Sequence, residues 1–126
     1  MERFSFGSEV AFVPGGDLLV GVTVAPLTAP ISEESRVQVA IFRVAAGGRL
    51  LRHPATYPQI VAVLEGSGEV SGADGVEQAI SAGEAVFWHE GEEHETTSAL
   101  GLTAIIIEGE SLDPFRDPPR RLPGAG

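Results

Sequence analysis

Glycine and proline cut this chain into pieces too short for helices. With 16 Gly and 9 Pro in 126 residues, no stretch sustains the apolar period of an amphipathic helix. The segments between the breaks are short and rich in β-branched residues. Alternation is clearest over Leu18 to Ala25, where Leu18, Val20, Val22 and Val24 share one face. Further strands are expected over Arg36 to Ala45, Arg49 to His53, Gln59 to Glu65, Glu69 to Ser71, Val76 to Ile80, Glu84 to His89, His94 to Thr97 and Leu102 to Glu108. Pro26 to Glu34 reads as a loop. The breaks carry turn chemistry at Gly47-Gly48, Gly66-Ser67-Gly68, Asp74-Gly75, Ser81-Ala82-Gly83 and Glu90-Gly91-Glu92. Asp-Gly between two short strands marks a hairpin. Several short strands at regular spacing predict an all-β sandwich or barrel.

Two strands are apolar on both faces. Val61 and Val63 face one way while Ile60, Ala62 and Leu64 face the other, and Ala104-Ile105-Ile106-Ile107 is apolar throughout. A strand wetted on one side alternates; one covered on both sides does not. A second layer is therefore expected, from a partner subunit or from N-terminal strands of the same chain. A homodimer is expected on this ground. Residues 1–111 read as one domain, and residues 112–126 as a Pro- and Arg-rich tail with little to bury.

Charge narrows the partners. The formal net charge is -10, from 18 acidic and 8 basic residues. An acidic surface repels phosphate backbones and anionic lipid, so neither nucleic acid nor a membrane is an expected partner. Absence of cysteine removes disulfides, thiolate nucleophiles and Cys metal sites. Absence of lysine removes Schiff-base chemistry through a side-chain amine. No apolar run reaches spanning length, and the N-terminus has no signal-peptide core, so a cytoplasmic protein is expected.

The chain has three histidines, His53, His89 and His94, each at or beside a strand end in the middle of the chain. Gly47 is followed by five residues and His53, then by Ala55, Gln59 and Gly66. Gly83 is followed by five residues and His89-Glu90-Gly91, then by His94 and Ser98. These two stretches resemble the paired signatures of the cupin superfamily in every interval. The identities agree at Gly47, His53, Gly66, Gly83, Gly91 and His94. Four positions depart: Ala55 stands where the family has its second His, Gln59 where it has Glu, His89 where it has Pro, and Ser98 where it has Asn. The resemblance spans about Arg36 to Glu108 and implies a double-stranded β-helix, the jelly-roll cupin barrel.

In that family the motif His and Glu residues hold one divalent metal inside the barrel. Carried over, the resemblance implies His53, Gln59 and His94 as metal-site residues, with zinc, nickel, iron or manganese as the ion. Gln offers only a neutral carbonyl oxygen, and Ala55 offers nothing, so the site is expected to be weak. Tyr57, Trp88 and His89 are candidate ligand-pocket residues, and Arg43 and Arg52 are candidate grips on an anion, with the surface the better expectation for both. The expected function is binding of a small molecule, with a weakly coordinated divalent metal. The alternative is a metal-dependent enzyme of dioxygenase, isomerase or decarboxylase type, acting on a small organic acid, sugar or aromatic.

Overall fold

The structure is a computed structural model and describes residues 1–13, 25–29, 31 and 34–115. Among the described residues eight strands are defined: β1 (Glu2–Ser5), β2 (Val37–Val44), β3 (Gly48–Pro54), β4 (Gln59–Ser71), β5 (Gln78–Ser81), β6 (Glu84–Trp88), β7 (Glu93–Ser98) and β8 (Leu102–Gly109). The only helical element among the described residues is a 3-10 turn over Ser8–Val10. All pairings are antiparallel. One sheet runs β1-β6-β4-β8-β2. The other runs β3-β7-β4-β5.

β4 belongs to both sheets. Its first half pairs with β6 and β8, and its second half with β5 and β7. The register slips between Val63 and Glu65, and Gly66 follows at φ 81°. A bulge and a left-handed glycine together bend a strand without ending it. The expected turn at Gly66-Ser67-Gly68 is therefore a corner: the chain changes sheet there and does not reverse. The reversal comes later, where the Gly75 N–H donates to the Gly72 carbonyl at 3.0 Å and Asp74 Oδ1 accepts from the Val76 N–H at 2.9 Å. This local bonding keeps Val76 out of the ladder, so β5 starts at Gln78.

The doubled apolarity of β4 is explained by two cores. Val61 and Val63 pack between the sheets with Val70, Ile80, Val86, Trp88, Leu102, Ala104 and Ile106. Ile60 and Ala62 pack on the other side with Phe4, Ala85, Phe87 and Leu112, against Phe6, Leu27 and Ile107. The second layer over β4 thus comes from this chain itself. β1 is part of it, although Glu2-Arg3-Phe4-Ser5 carries too little alternation to be foreseen as a strand. Leu112, expected to begin a tail with little to bury, is 4% exposed. Among the described residues the layer stops short of β2, whose outward residues Val37, Val39 and Ile41 are exposed. The strand expected over Leu18 to Ala25 lies outside the described residues except for Ala25, as does the tail beyond Phe115. Among the described residues no helix is long and apolar enough to cross a membrane.

Candidate functional site

Two cross-strand pairs build the polar end of the space between the sheets. On one sheet, β3 and β7 place His53 directly opposite His94. On the other, β4 and β8 place Gln59 directly opposite Glu108. A cavity of about 90 Å³ joins them, lined by all four and by Phe42, Leu50, Val61, Trp88, Thr96 and Ile106. Strand parity explains the convergence. Gln59 is in phase with Val61 and Val63, and Glu108 with Ile106 and Ala104, so both follow the inward apolar face.

The two imidazole centroids lie 4.4 Å apart, with the rings tilted by 55°. Each ring is tethered on the same side. His53 Nδ1 lies 2.7 Å from the Leu51 carbonyl and His94 Nδ1 lies 3.0 Å from the Glu92 carbonyl. A carbonyl only accepts, so in the neutral rings each Nδ1 carries the proton and each Nε2 keeps its lone pair. This is the arrangement in which a ligating imidazole is oriented by its other nitrogen. His94 is 4% exposed, while His53 stands at the open side. Trp88 is fully buried beneath them, its ring 4.4 Å from that of His94 and its Nε1–H donating to the Ser71 carbonyl at 3.1 Å.

Burial holds the His94 imidazole below its usual pKa. The Glu92 carbonyl opposes that shift, His53 adds to it, and the carboxylates of Glu92 and Glu108 oppose it. The charged form of a buried imidazole lacks solvation, so His94 is kept as the neutral base. Opposite, Gln59 Nε2 donates to Glu108 Oε1 at 2.7 Å. Gln59 is 8% exposed and Glu108 is half-buried.

These residues fit a divalent ion in part. Two free Nε2 lone pairs facing one cavity suit a transition metal. Ala55 is 3% exposed, and its methyl group supplies no donor. As the side chains stand, no three His, Cys, Asp or Glu residues among those described come together closely enough to hold an ion.

The remaining candidates lie elsewhere. Tyr57 lines a separate surface depression with Arg36, Val37 and Gln38, and only Glu108 is common to both. His89 follows inward-facing Trp88 and so points outward, edge-on to Phe87 at 4.9 Å between ring centroids and 3.7 Å from a Glu2 oxygen. Arg52 donates to the Gly72 carbonyl at 2.8 Å and clamps that loop. Arg43 lies toward the opposite end of β8, in an open depression with Glu65 and Leu100. Glu108 was not among the candidates from sequence. The signal for it was parity, since Leu102, Ala104, Ile106 and Glu108 share a face.

The sequence signature of the cupin domain matches residues 40–109, more than half of the chain. The chain belongs to the cupin family. Solved structures with the same fold include a cupin superfamily protein from Desulfitobacterium hafniense, at TM-score 0.57 and 14% identity over 68% of this chain and 77% of that one. A conserved protein of unknown function from Streptococcus pyogenes aligns at TM-score 0.56 and 14% identity over 66% and 70%. The DMSP lyase DddQ from Ruegeria pomeroyi aligns at TM-score 0.55 and 20% identity over 61% of this chain and 40% of that one. At these identities the likeness concerns the fold alone. Among curated proteins no match is found.

Proposed function

We propose that this cupin binds a small polar molecule at the mouth of its barrel through one divalent transition-metal ion held by His53 and His94. The observation that supports it is the pair of facing imidazoles, each tied at Nδ1 to a carbonyl and each keeping Nε2 free in one shared cavity. Cavity size favours an ion over an enclosed organic ligand. The cavity measures about 90 Å³. Pockets that enclose drug-sized ligands run from about 300 to 1,000 Å³. The organic part of a ligand therefore stays in the mouth, with one or two of its atoms reaching inward. The metal-dependent enzyme reading would use the same ion, so one measurement bears on both.

The test is elemental analysis of protein purified without a metal-affinity tag, then titration with Zn²⁺, Ni²⁺, Fe²⁺ and Mn²⁺. Binding of one equivalent by the wild type, abolished in a folded His53→Ala, His94→Ala double variant, is the expected result. Unchanged binding in that variant would refute the assignment. We also propose a second copy of the chain as the cover for Val37, Val39 and Ile41, exposed on the outer face of β2. A monomeric mass by light scattering at micromolar concentration counts against it.

A further inference from the structure

We propose that Glu108, on β8, supplies the carboxylate of the ion site, with Gln59 serving to position it. The proposal rests on the ion binding proposed above and names the third donor. It comes from the ladder register. Gln59 occupies the place where the cupin signature carries Glu, and the residue directly opposite it on the neighbouring strand is a glutamate. Directly opposed residues in an antiparallel pair are about 4.5–5.5 Å apart at Cα. Moving the carboxylate across that step keeps it on the same face and at the same height in the barrel. Glu108 and Gln59 line the same cavity as both imidazoles.

Three features separate Glu108 from an ordinary strand-end glutamate. It is half-buried, and among the described residues no basic group stands within ion-pair distance of it. A half-buried carboxylate without a cationic partner is costly, and an ion in the cavity would supply the missing charge. Second, among the described residues a single side chain holds Glu108, the Gln59 amide, which donates to one carboxylate oxygen at 2.7 Å. The other oxygen remains for an ion, and hydrogen bonding of a ligating carboxylate is the usual supporting arrangement. Third, charge decides between the two oxygens on offer. Two neutral imidazoles with an amide would leave the full double charge of the ion in a low-dielectric space. Exchanging the amide for a carboxylate removes one unit of it. In the structure Glu108 lies against Gln59 and forms no three-donor cluster with the imidazoles. Binding therefore includes a turn of this side chain about its own torsions toward Nε2 of His53 and His94.

The test is Ni²⁺ titration by calorimetry of the wild type, Glu108→Gln and the exchanged double variant Gln59→Glu, Glu108→Gln. The exchange keeps one amide and one carboxylate facing each other across the ladder, so it preserves the pairing. Each variant is first checked for a wild-type urea transition. Glu108→Gln is expected to weaken Ni²⁺ binding by at least about tenfold, the lower end of what metal-site support residues cost. The exchanged variant is expected to recover most of that loss. A wild type that binds Ni²⁺ while Glu108→Gln binds it equally well overturns the role of Glu108 alone. A wild type that binds no Ni²⁺ overturns the ion site and this assignment with it. Weakening that the exchange fails to recover, in a variant with the wild-type transition, overturns the register argument.

Discussion

Alanine at Gly66 should cost far more than alanine at another left-handed glycine, because Gly66 is where β4 passes between sheets. A Cβ built there would lie 2.2 Å from the Gly101 carbonyl oxygen and 2.9 Å from Leu102 Cα. Both neighbours are backbone, so no rotamer change relieves the contact, and β4 and β8 must separate. The left-handed conformation costs a non-glycine residue about 1–2 kcal/mol. Overpacking of this kind adds about 1–3 kcal/mol, for a total of about 2–5 kcal/mol. Gly75 is the control. Its φ is 71°, and nothing lies within 4 Å of its Cβ position, so Gly75→Ala carries only the conformational cost. The difference between the variants isolates the clash. In urea, with slopes of about 1–3 kcal/mol per molar for small proteins, the Gly66→Ala midpoint should fall roughly 1 M below that of Gly75→Ala, with slopes unchanged. Equal midpoints would mean that β4 does not press its corner against Gly101, and the route by which it carries Gln59 into the cavity would need redrawing.

Three further outcomes are expected. Folding disfavours the protonated form of His94, so the unfolded chain takes up the proton first as pH falls. Stability should therefore decline below about pH 6.5, the usual imidazole value, and His94→Gln should flatten that decline in urea midpoints measured between pH 7.5 and 5.5. Glu92 behaves oppositely in chemistry and alike in direction. Burial raises its pKa, but the Met1 ammonium at 2.9 Å and the N–H groups of His89 and Ala73 outweigh that and hold it below its ordinary 4.5. Its contribution is present above pH 4.5 and lost as pH falls further, and Glu92→Ala should cost about 1–3 kcal/mol at neutral pH by orphaning those donors. Trp88 is the only tryptophan and its ring lies 4.4 Å from that of His94, so Ni²⁺ at the imidazole pair should quench its emission; unchanged emission at saturation contradicts the placement of the ion.

Strand identity was legible where turn residues bracket β-branched runs, as in β2 and β8. It failed where one local signal serves two structures. Gly66-Ser67-Gly68 reads as a reversal, yet the same left-handed freedom makes a corner, and only the partners β5 and β7 decide between them. β1 was invisible because its pairing with β6 is long-range and its own pattern is weak. At the site, the resemblance to the cupin signatures pointed to His53, His94 and Gln59, all of which line the cavity. Tyr57 was a candidate as the only tyrosine and His89 for lying across a turn from His94, but parity turns His89 outward, and Tyr57 lines a different depression. Glu108 went unnoticed because a charged residue at the end of an apolar strand looks like its solvent-facing terminus. Its partner across the ladder is what gives it meaning, and register is not written in a single strand.

The shared ion site is tested most directly by long-range nitrogen–proton NMR of the imidazoles during zinc titration, made clean by a chain with only three histidines. Before zinc, His53 and His94 should both appear as the Nδ1–H tautomer. Their Nε2 signals should then move together and finish at one equivalent, while His89 stays still. Movement of one of the two rings alone, or of His89 with either, would contradict the account.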